Sequence, residues 1–244
     1  MKQTSGSRYE ALATDGDGTL LRKKHMARTT VAALERLRAS GRKAILVTGE
    51  TQEDLAEFPH IELFDIVVAE DGAVLYRPAT RKATRLAESP PAAFVRGLRK
   101  RGVEPCSVGK VVVSVEQADV PALGEVIREL GMDWRLVPNR KQVMALPSGV
   151  DKATGLAAAL KEMRLSPAQV VGTGDAENDL VMLLLCGCGA AVASAVPLLR
   201  GQADIVTEGG TGRGIVELVN RMIAGDLPTP AVRGEAGGSA ACCG

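Results

Sequence analysis

The stretch ALATDGDGTLLRKKH, residues 11–25, decides how the rest of the chain is read. An apolar run ends at Asp15, and a second carboxylate, Asp17, follows after a single glycine. Two carboxylates brought that close repel each other, so the arrangement calls for a cation or a proton to hold it. The alternative is that Asp-Gly only makes a turn. An EF-hand calcium loop is excluded, because its sixth position wants Gly and its twelfth Glu, where this chain has Leu20 and Met26.

Outward from this stretch, short apolar runs alternate with segments of helical spacing. RTTVAALERLRAS (28–40) places its apolar side chains on one helical face, and KAILVTG (43–49) reads as a buried strand. FDIVVAEDGAVLYR (64–77) reads as a strand, a tight Asp-Gly turn and a return strand. Strands this continuously apolar are expected in a parallel sheet covered on both faces. The character changes near residue 78, where RPATRKATRLAESPP is polar and carries proline; a helix, a strand, a second helix and two strands follow up to ALPSG. The first style then resumes with LAAALKEM, AQVVGTGD, NDLVMLLLC, AAVA, LRGQADIVT and GIVELVNRMI. The expected architecture is α/β, a doubly wound parallel-sheet core of residues 8–79 and 149–223 interrupted by a small α+β unit at 80–148. Residues 224–244, rich in Gly, Pro and Ala, read as a disordered tail.

Composition narrows the function. Lys and Arg number 30 against 29 Asp and Glu in 244 residues, so no global field favours a nucleic acid or an anionic membrane. Aromatic residues make up 2% of the chain, too few for base-stacking platforms. The amino terminus, MKQTSGSRYEAL, has no apolar signal core, and no run is long enough to span a bilayer, so a cytoplasmic location is expected. The cysteines Cys106, Cys186, Cys188, Cys242 and Cys243 fit no disulfide framework or zinc spacing and read as reduced thiols.

In an open α/β sheet the ligand crevice lies beyond the carboxyl ends of the strands. Four groups of polar residues fall there: Asp15 to Thr19, Thr48-Gly49, Lys152 at a helix start, and Gly174-Asp175 with Asn178-Asp179. The string D-x-D-G-T-L at the end of an apolar strand resembles the opening motif of the haloacid dehalogenase superfamily. Thr48 resembles its second motif, Lys152 in PSGVDKATG its third, and GDAEND (174–179) its fourth, in the family's order and from Tyr9 to about Ile223. The insertion between the second and third motifs is similar to the type II cap of Cof-like phosphatases, a branch that includes sugar-phosphate, sucrose-phosphate, mannosylphosphoglycerate and phosphoglycolate phosphatases.

The resemblance implies an Mg²⁺-dependent hydrolysis of a small phosphate ester. Asp15 is then the nucleophile that forms an aspartyl-phosphate, and Asp17 the acid that protonates the leaving alkoxide and afterwards the base that deprotonates water. Asp15, the backbone carbonyl of Asp17, Asp175 and, directly or through water, Asp179 hold the metal. Lys152 balances the charge, Thr48 and the backbone N–H groups of Gly16, Asp17 and Gly49 cradle the phosphate, and Asn178 orients its neighbours. The chain departs from the family pattern at Glu50, where Arg is usual, at Asp71 in place of Asn, and at Ala193-Ser194-Ala195. These departures imply a less anionic leaving group or an impaired enzyme. A phosphomutase, a receiver-like phosphoacceptor and a binding module without turnover are the competing readings. Arg22, Lys23 and Lys24 are further candidates for contact with an anionic substrate.

Overall fold

The computed structural model describes residues 9–139 and 142–229. In chain order these form β1 (Ala11–Asp15), α1 (Arg28–Ala39), β2 (Lys43–Val47), β3 (Ile66–Ala69), β4 (Val74–Arg77) and β5 (Lys82–Arg85). There follow α2 (Ala92–Lys100), β6 (Ser107–Val108), β7 (Val113–Glu116), α3 (Val120–Glu129), β8 (Trp134–Asn139) and β9 (Gln142–Pro147). The last stretch gives α4 (Lys152–Met163), β10 (Val170–Gly174), α5 (Leu180–Leu185), β11 (Cys188–Ala191), α6 (Pro197–Gln202), β12 (Ile205–Val206) and α7 (Arg213–Ala224).

An eight-stranded sheet runs β12-β11-β10-β1-β2-β3-β4-β5, parallel from β12 to β3 and antiparallel across β4 and β5. Alternate residues of the central strands point to opposite faces, as the pleat requires. Leu12 and Leu46 join the core under α1 and α7, while Ala11, Ala13, Ile45 and Val47 join the core under α4 and α5. In α1 the buried residues Thr30, Ala33, Leu34 and Leu37 keep the i, i+3, i+4, i+7 spacing expected for a helix with one buried face. The strand order reverses between β1 and β10, so the carboxyl ends of these two strands and of β2 open onto one crevice.

A second, antiparallel sheet, β6-β7-β9-β8, lies between these two halves of the chain. One face carries Val113, Val115, Val143 and Ala145 against Phe94 and Leu98 of α2 and Leu123 and Val126 of α3. Trp134 packs beside Phe94 with ring centroids 5.2 Å apart, a structural role. From the other face, Val137, Met144 and Leu146 join the core cluster beneath α1 and α7. Two short strands escape the periodicity reading. β5 pairs with β4 in the eight-stranded sheet, although its sequence KATR lies in the stretch expected to begin the inserted unit. β6 is only two residues long. Of the tail expected at 224–244, residues 230–244 lie outside the described residues, and α7 ends at Ala224.

Helix α4 approaches the turn after β3 so closely that a Cβ on Gly155 would stand 2.5 Å from the Gly72 Cα and 2.6 Å from the Gly72 carbonyl oxygen. Gly124 in α3 has open space around it. Gly155→Ala is expected to destabilise the protein by about 1–3 kcal/mol through this overpacking. Gly124→Ala should stabilise it by roughly 0.5–1 kcal/mol through helix propensity. Urea unfolding of the two variants checks the opposite signs.

Candidate active site

Asp15 ends β1, and the chain turns at once. The N–H groups of Leu20 and Leu21 both reach the Gly16 carbonyl at 2.8 Å, closing a compact loop. Gly18 is needed here twice over: its φ is +92°, and a Cβ would stand 2.2 Å from the Asp175 carboxylate. Thr19 Oγ1 donates to Asp175 Oδ1 at 2.9 Å, so the first loop holds the acid that follows β10.

Asp175 and Asp179 are arranged by a single turn of 3₁₀ helix, Glu177–Asp179. Asp179 Oδ2 accepts the backbone N–H groups of Asp175 (2.9 Å) and Ala176 (3.0 Å), folding its carboxylate back over the strand end. Gly174 permits this approach, since a Cβ there would meet the Asp179 carboxylate at 2.4 Å.

Lys152 is the first residue of α4. A capping box between Asp151 and Thr154 starts the helix, with the Thr154 N–H donating to Asp151 Oδ1 at 2.7 Å. A cation gains nothing from the helix dipole at this end. Its ammonium is instead held between carboxylates, 2.6 Å from Asp15 Oδ1 and 2.6 Å from Asp179 Oδ1, with the side chain 2% exposed. Burial alone would lower the lysine's pKa, but the attraction of Asp15, Asp179 and Asp71 outweighs it and pushes the value well up. Burial raises the pKa of Asp15 to about 8; Lys152 opposes this and Asp179 adds to it.

Ligand atoms of Asp15, Asp175 and Asp179 all lie within 4.8 Å of one another and could hold a metal ion. Three carboxylates against one ammonium leave two negative charges uncompensated if all are ionised, and an oxygen-only donor set suits a hard divalent cation such as Mg²⁺. The carboxylate of Asp17 stands outside this trio; the residue is half-buried and lines the cleft.

Thr48 follows β2, its N–H bonded to the Val68 carbonyl at 2.8 Å and its Oγ1 accepting the Glu50 N–H at 3.2 Å. Asn178 donates to Asp71 Oδ1 at 3.2 Å. Thr48, Gly49 and Asn178 face the same cleft, of about 1230 Å³, as Asp15, Asp17, Lys152 and Asp175. A Cβ on Gly16 would lie 3.5 Å from Thr48 Oγ1, so the first and second loops adjoin. The residues singled out from the sequence thus converge at the ends of β1, β2 and β10 and the start of α4. Arg22, Lys23 and Lys24 are exposed and do not line the cleft.

The roof of the cleft comes from the second sheet, through Ser114, Arg135, Gln142 and Met144 among others. Sequence reasoning missed Arg135, whose guanidinium donates twice to the Val150 carbonyl, at 3.2 and 2.6 Å. One arginine in an alternating strand gives no signal of which face it takes. Glu50 also lines the cleft; burial, then Asp54 and Asp17, raise its pKa. Asp71 is buried in the left-handed region at φ +53°, which Asp tolerates better than most residues, and burial raises its pKa too.

The profile of the haloacid dehalogenase-like hydrolases matches residues 12–106 and 106–219. The chain belongs to this family, and within it is a phosphatase of the haloacid dehalogenase superfamily. It is 30% identical over 222 residues to a phosphoglycolate phosphatase of Methanothermobacter thermautotrophicus, covering 87% of this chain and 98% of the relative. A match of 32% over 121 residues to phosphoglycolate phosphatase 2 of Saccharolobus solfataricus spans half of this chain, 50%, and 51% of that relative. Among solved structures, a haloacid dehalogenase-like hydrolase of Bacteroides thetaiotaomicron superposes with a TM-score of 0.76 at 17% identity, covering 88% of this chain and 99% of the other. A subclass IIB sugar phosphatase superposes with a TM-score of 0.69 at 18% identity, over 87% and 98% of the two chains. Among the described residues, no helix is long and apolar enough to cross a membrane.

The raised pKa of Asp15 has a consequence for stability. The unfolded carboxyl titrates near 3.8 and the folded one near 8, so in metal-free protein the folded state holds the extra proton between these values. Its contribution is complete below pH 3.8 and is lost as pH climbs toward 8. In chelator, the melting temperature of the wild type should therefore fall from pH 5 to pH 8 more steeply than that of Asp15→Asn. Added Mg²⁺ at the upper pH should restore it. Thermal melts of both proteins across that range check the slope.

Proposed function

We propose that this protein is an Mg²⁺-dependent phosphomonoester hydrolase that turns over a small phosphorylated metabolite, a sugar phosphate or a phosphoglycolate-like ester, through a phosphorylated Asp15. The observation that carries the reading is the Lys152 ammonium, buried between Asp15 and Asp179 with Asp175 alongside. In this reading the eight-stranded sheet is the catalytic core and the four-stranded unit its cap. Asp15, Asp175 and the Asp17 carbonyl hold the ion; Asp179, whose oxygens are taken by Lys152 and two backbone N–H groups, supports it mainly through its charge. Bound Mg²⁺ supplies positive charge that offsets the acids and the phosphoryl oxygens.

The chain's own residues do the rest. An oxygen of ionised Asp15 attacks phosphorus while the bond from phosphorus to the ester oxygen breaks, and Asp17 gives that oxygen a proton. Water then attacks the phosphorus of the phospho-Asp15, Asp17 takes its proton, and inorganic phosphate leaves with Asp15 restored. Lys152 keeps Asp15 oriented and stabilises the equatorial oxygens. Thr48 offers a hydroxyl and Gly16 and Gly49 offer backbone N–H groups to the same oxygens. Asn178 acts through Asp71, which it grips at the cleft wall.

Phosphate release from p-nitrophenyl phosphate and a metabolite panel tests the proposal. Wild-type turnover should vanish with chelator, and Asp15→Asn should lower kcat by about 10³-fold or more. Full turnover in that variant would remove Asp15 from the mechanism. Glu50 should weigh against a second negative charge on the substrate. Glu50→Gln is expected to raise kcat/KM for 2-phosphoglycolate over that for glycerol 2-phosphate by roughly 3- to 10-fold, read from initial rates on both esters.

A further inference from the structure

Glu70 has no place in the chemistry above, yet it is a fully buried carboxylate, 0% exposed. It follows β3 in the core, and its side chain reaches across to the second sheet. Oε1 accepts the Lys110 N–H at 2.9 Å, and Oε2 accepts the N–H groups of Val111 at 2.8 Å and Val112 at 3.1 Å. Three convergent backbone donors make a nest for an anion, and here the anion belongs to the core. Gly109 leaves it room: a Cβ at that position would stand 2.6 Å from the Glu70 carboxyl carbon. The seal is apolar, since Val111 and Val112 are buried in the cluster that also holds Ala69 and Ala73.

The same turn is wired to the site. The Glu70 N–H donates to the Glu50 carbonyl and the Asp71 N–H to the Thr48 carbonyl, both at 3.0 Å, so the turn and the loop after β2 move together. Gly72 abuts the start of α4, where a Cβ would meet the Asp151 carbonyl oxygen at 1.9 Å, one residue before Lys152. Glu70, Asp71 and Gly72 all have positive φ, at +52°, +53° and +112°. Two successive non-glycine residues in that region are unfavourable and persist only where the surroundings over-determine them. On the far side, Val112 leads directly into β7, and Val112 and Ser114 both line the cleft.

We propose that Glu70 is a positioning residue, a clasp that sets the four-stranded unit at one height over the cleft by holding the backbone of residues 110–112. This rests on the reading of the cleft as a phosphatase site whose leaving group lies under that unit. A ligand confined to the strand ends is indifferent to the clasp, and one that also touches the roof is sensitive to it.

Glu70→Gln keeps the size but turns an amide donor toward backbone donors. It should raise KM for p-nitrophenyl phosphate about 10-fold while leaving inhibition by inorganic phosphate within about twofold and kcat within about threefold. Gly109→Ala, which keeps the carboxylate but crowds it, should shift the same KM in the same direction and serves if Glu70→Gln does not fold. Hydrogen exchange at the amides of 110–112 should be slow in the wild type and faster in both variants. A lower melting temperature with KM and phosphate inhibition unchanged, or both constants rising together, overturns the proposal, as does unchanged exchange at 110–112. A wild type that releases no phosphate fails the proposed function instead, and the exchange measurement then decides the clasp alone.

Discussion

Lys152 carries a single positive charge to a place where Asp15, Asp175 and Asp179 converge, and the strand ends are built around that imbalance. Removing an ammonium and carboxylates from water costs several kcal/mol per ion, and the mutual attraction offsets this only with good geometry and with the remaining lone pairs satisfied. The second condition is met by structure that has no other evident purpose. Asp179 turns back on the N–H groups of Asp175 and Ala176, and Thr19 donates to Asp175. Glycines stand at 18 and 174 because a Cβ at either would collide with these acids. The sequence around the ends of β1 and β10 and the start of α4 is thus dictated by one electrostatic arrangement that remains negative until a cation or a proton joins it.

That is also why the residues of the candidate site could be picked out from the sequence. Short-range patterns survive in one dimension: an acid at the end of an apolar run, a second two residues on, a glycine wherever a carboxylate must approach the backbone. Lys152 was legible as a misfit, a cation at the wrong end of a helix. Glu70 was not, because its partners lie 40 to 42 residues away and are backbone N–H groups, which any sequence supplies. Arg135 was equally silent. The edge strand β5 was missed for a different reason. In KATR only Ala83 packs against the core while Lys82, Thr84 and Arg85 are exposed, as in an edge strand with a partner on one side, and a single apolar residue carries no periodicity. The sheet boundary therefore falls several residues beyond where the change in composition placed it.

The cleft itself is unevenly charged. Beyond Asp15, Asp175 and Lys152 it presents Asp17, Glu50, Asp54, Asp71, Asp151 and Glu177, against the guanidinium of Arg135, which is already bonded to the Val150 carbonyl. Low-dielectric walls focus such a field onto whatever enters. In the proposed reading a phosphoryl dianion would be accommodated by Lys152 and the donors at the strand ends, whereas a leaving group reaching toward Glu50 and Asp54 would meet carboxylates. On that reading, binding strength in this cleft would be set by where a ligand's second polar group sits as much as by its size.

Rigidity completes the arrangement. The turn of Glu70, Asp71 and Gly72 holds three consecutive positive φ values, and each residue touches a different part of the protein. Glu70 faces the second sheet, Asp71 meets Asn178 at the cleft wall, and Gly72 lies against α4 near Lys152. A relaxed turn could not present all three, because an extended or right-handed residue at position 70 or 71 would swing at least one of them away. Conformational strain at this turn is balanced by hydrogen bonds to Thr48 and Glu50 on one side and by close glycine contacts with Gly155 on the other. The roof of the cleft, the loop after β2 and the start of α4 consequently share one short segment of backbone, and a displacement of any of them is resisted by the other two.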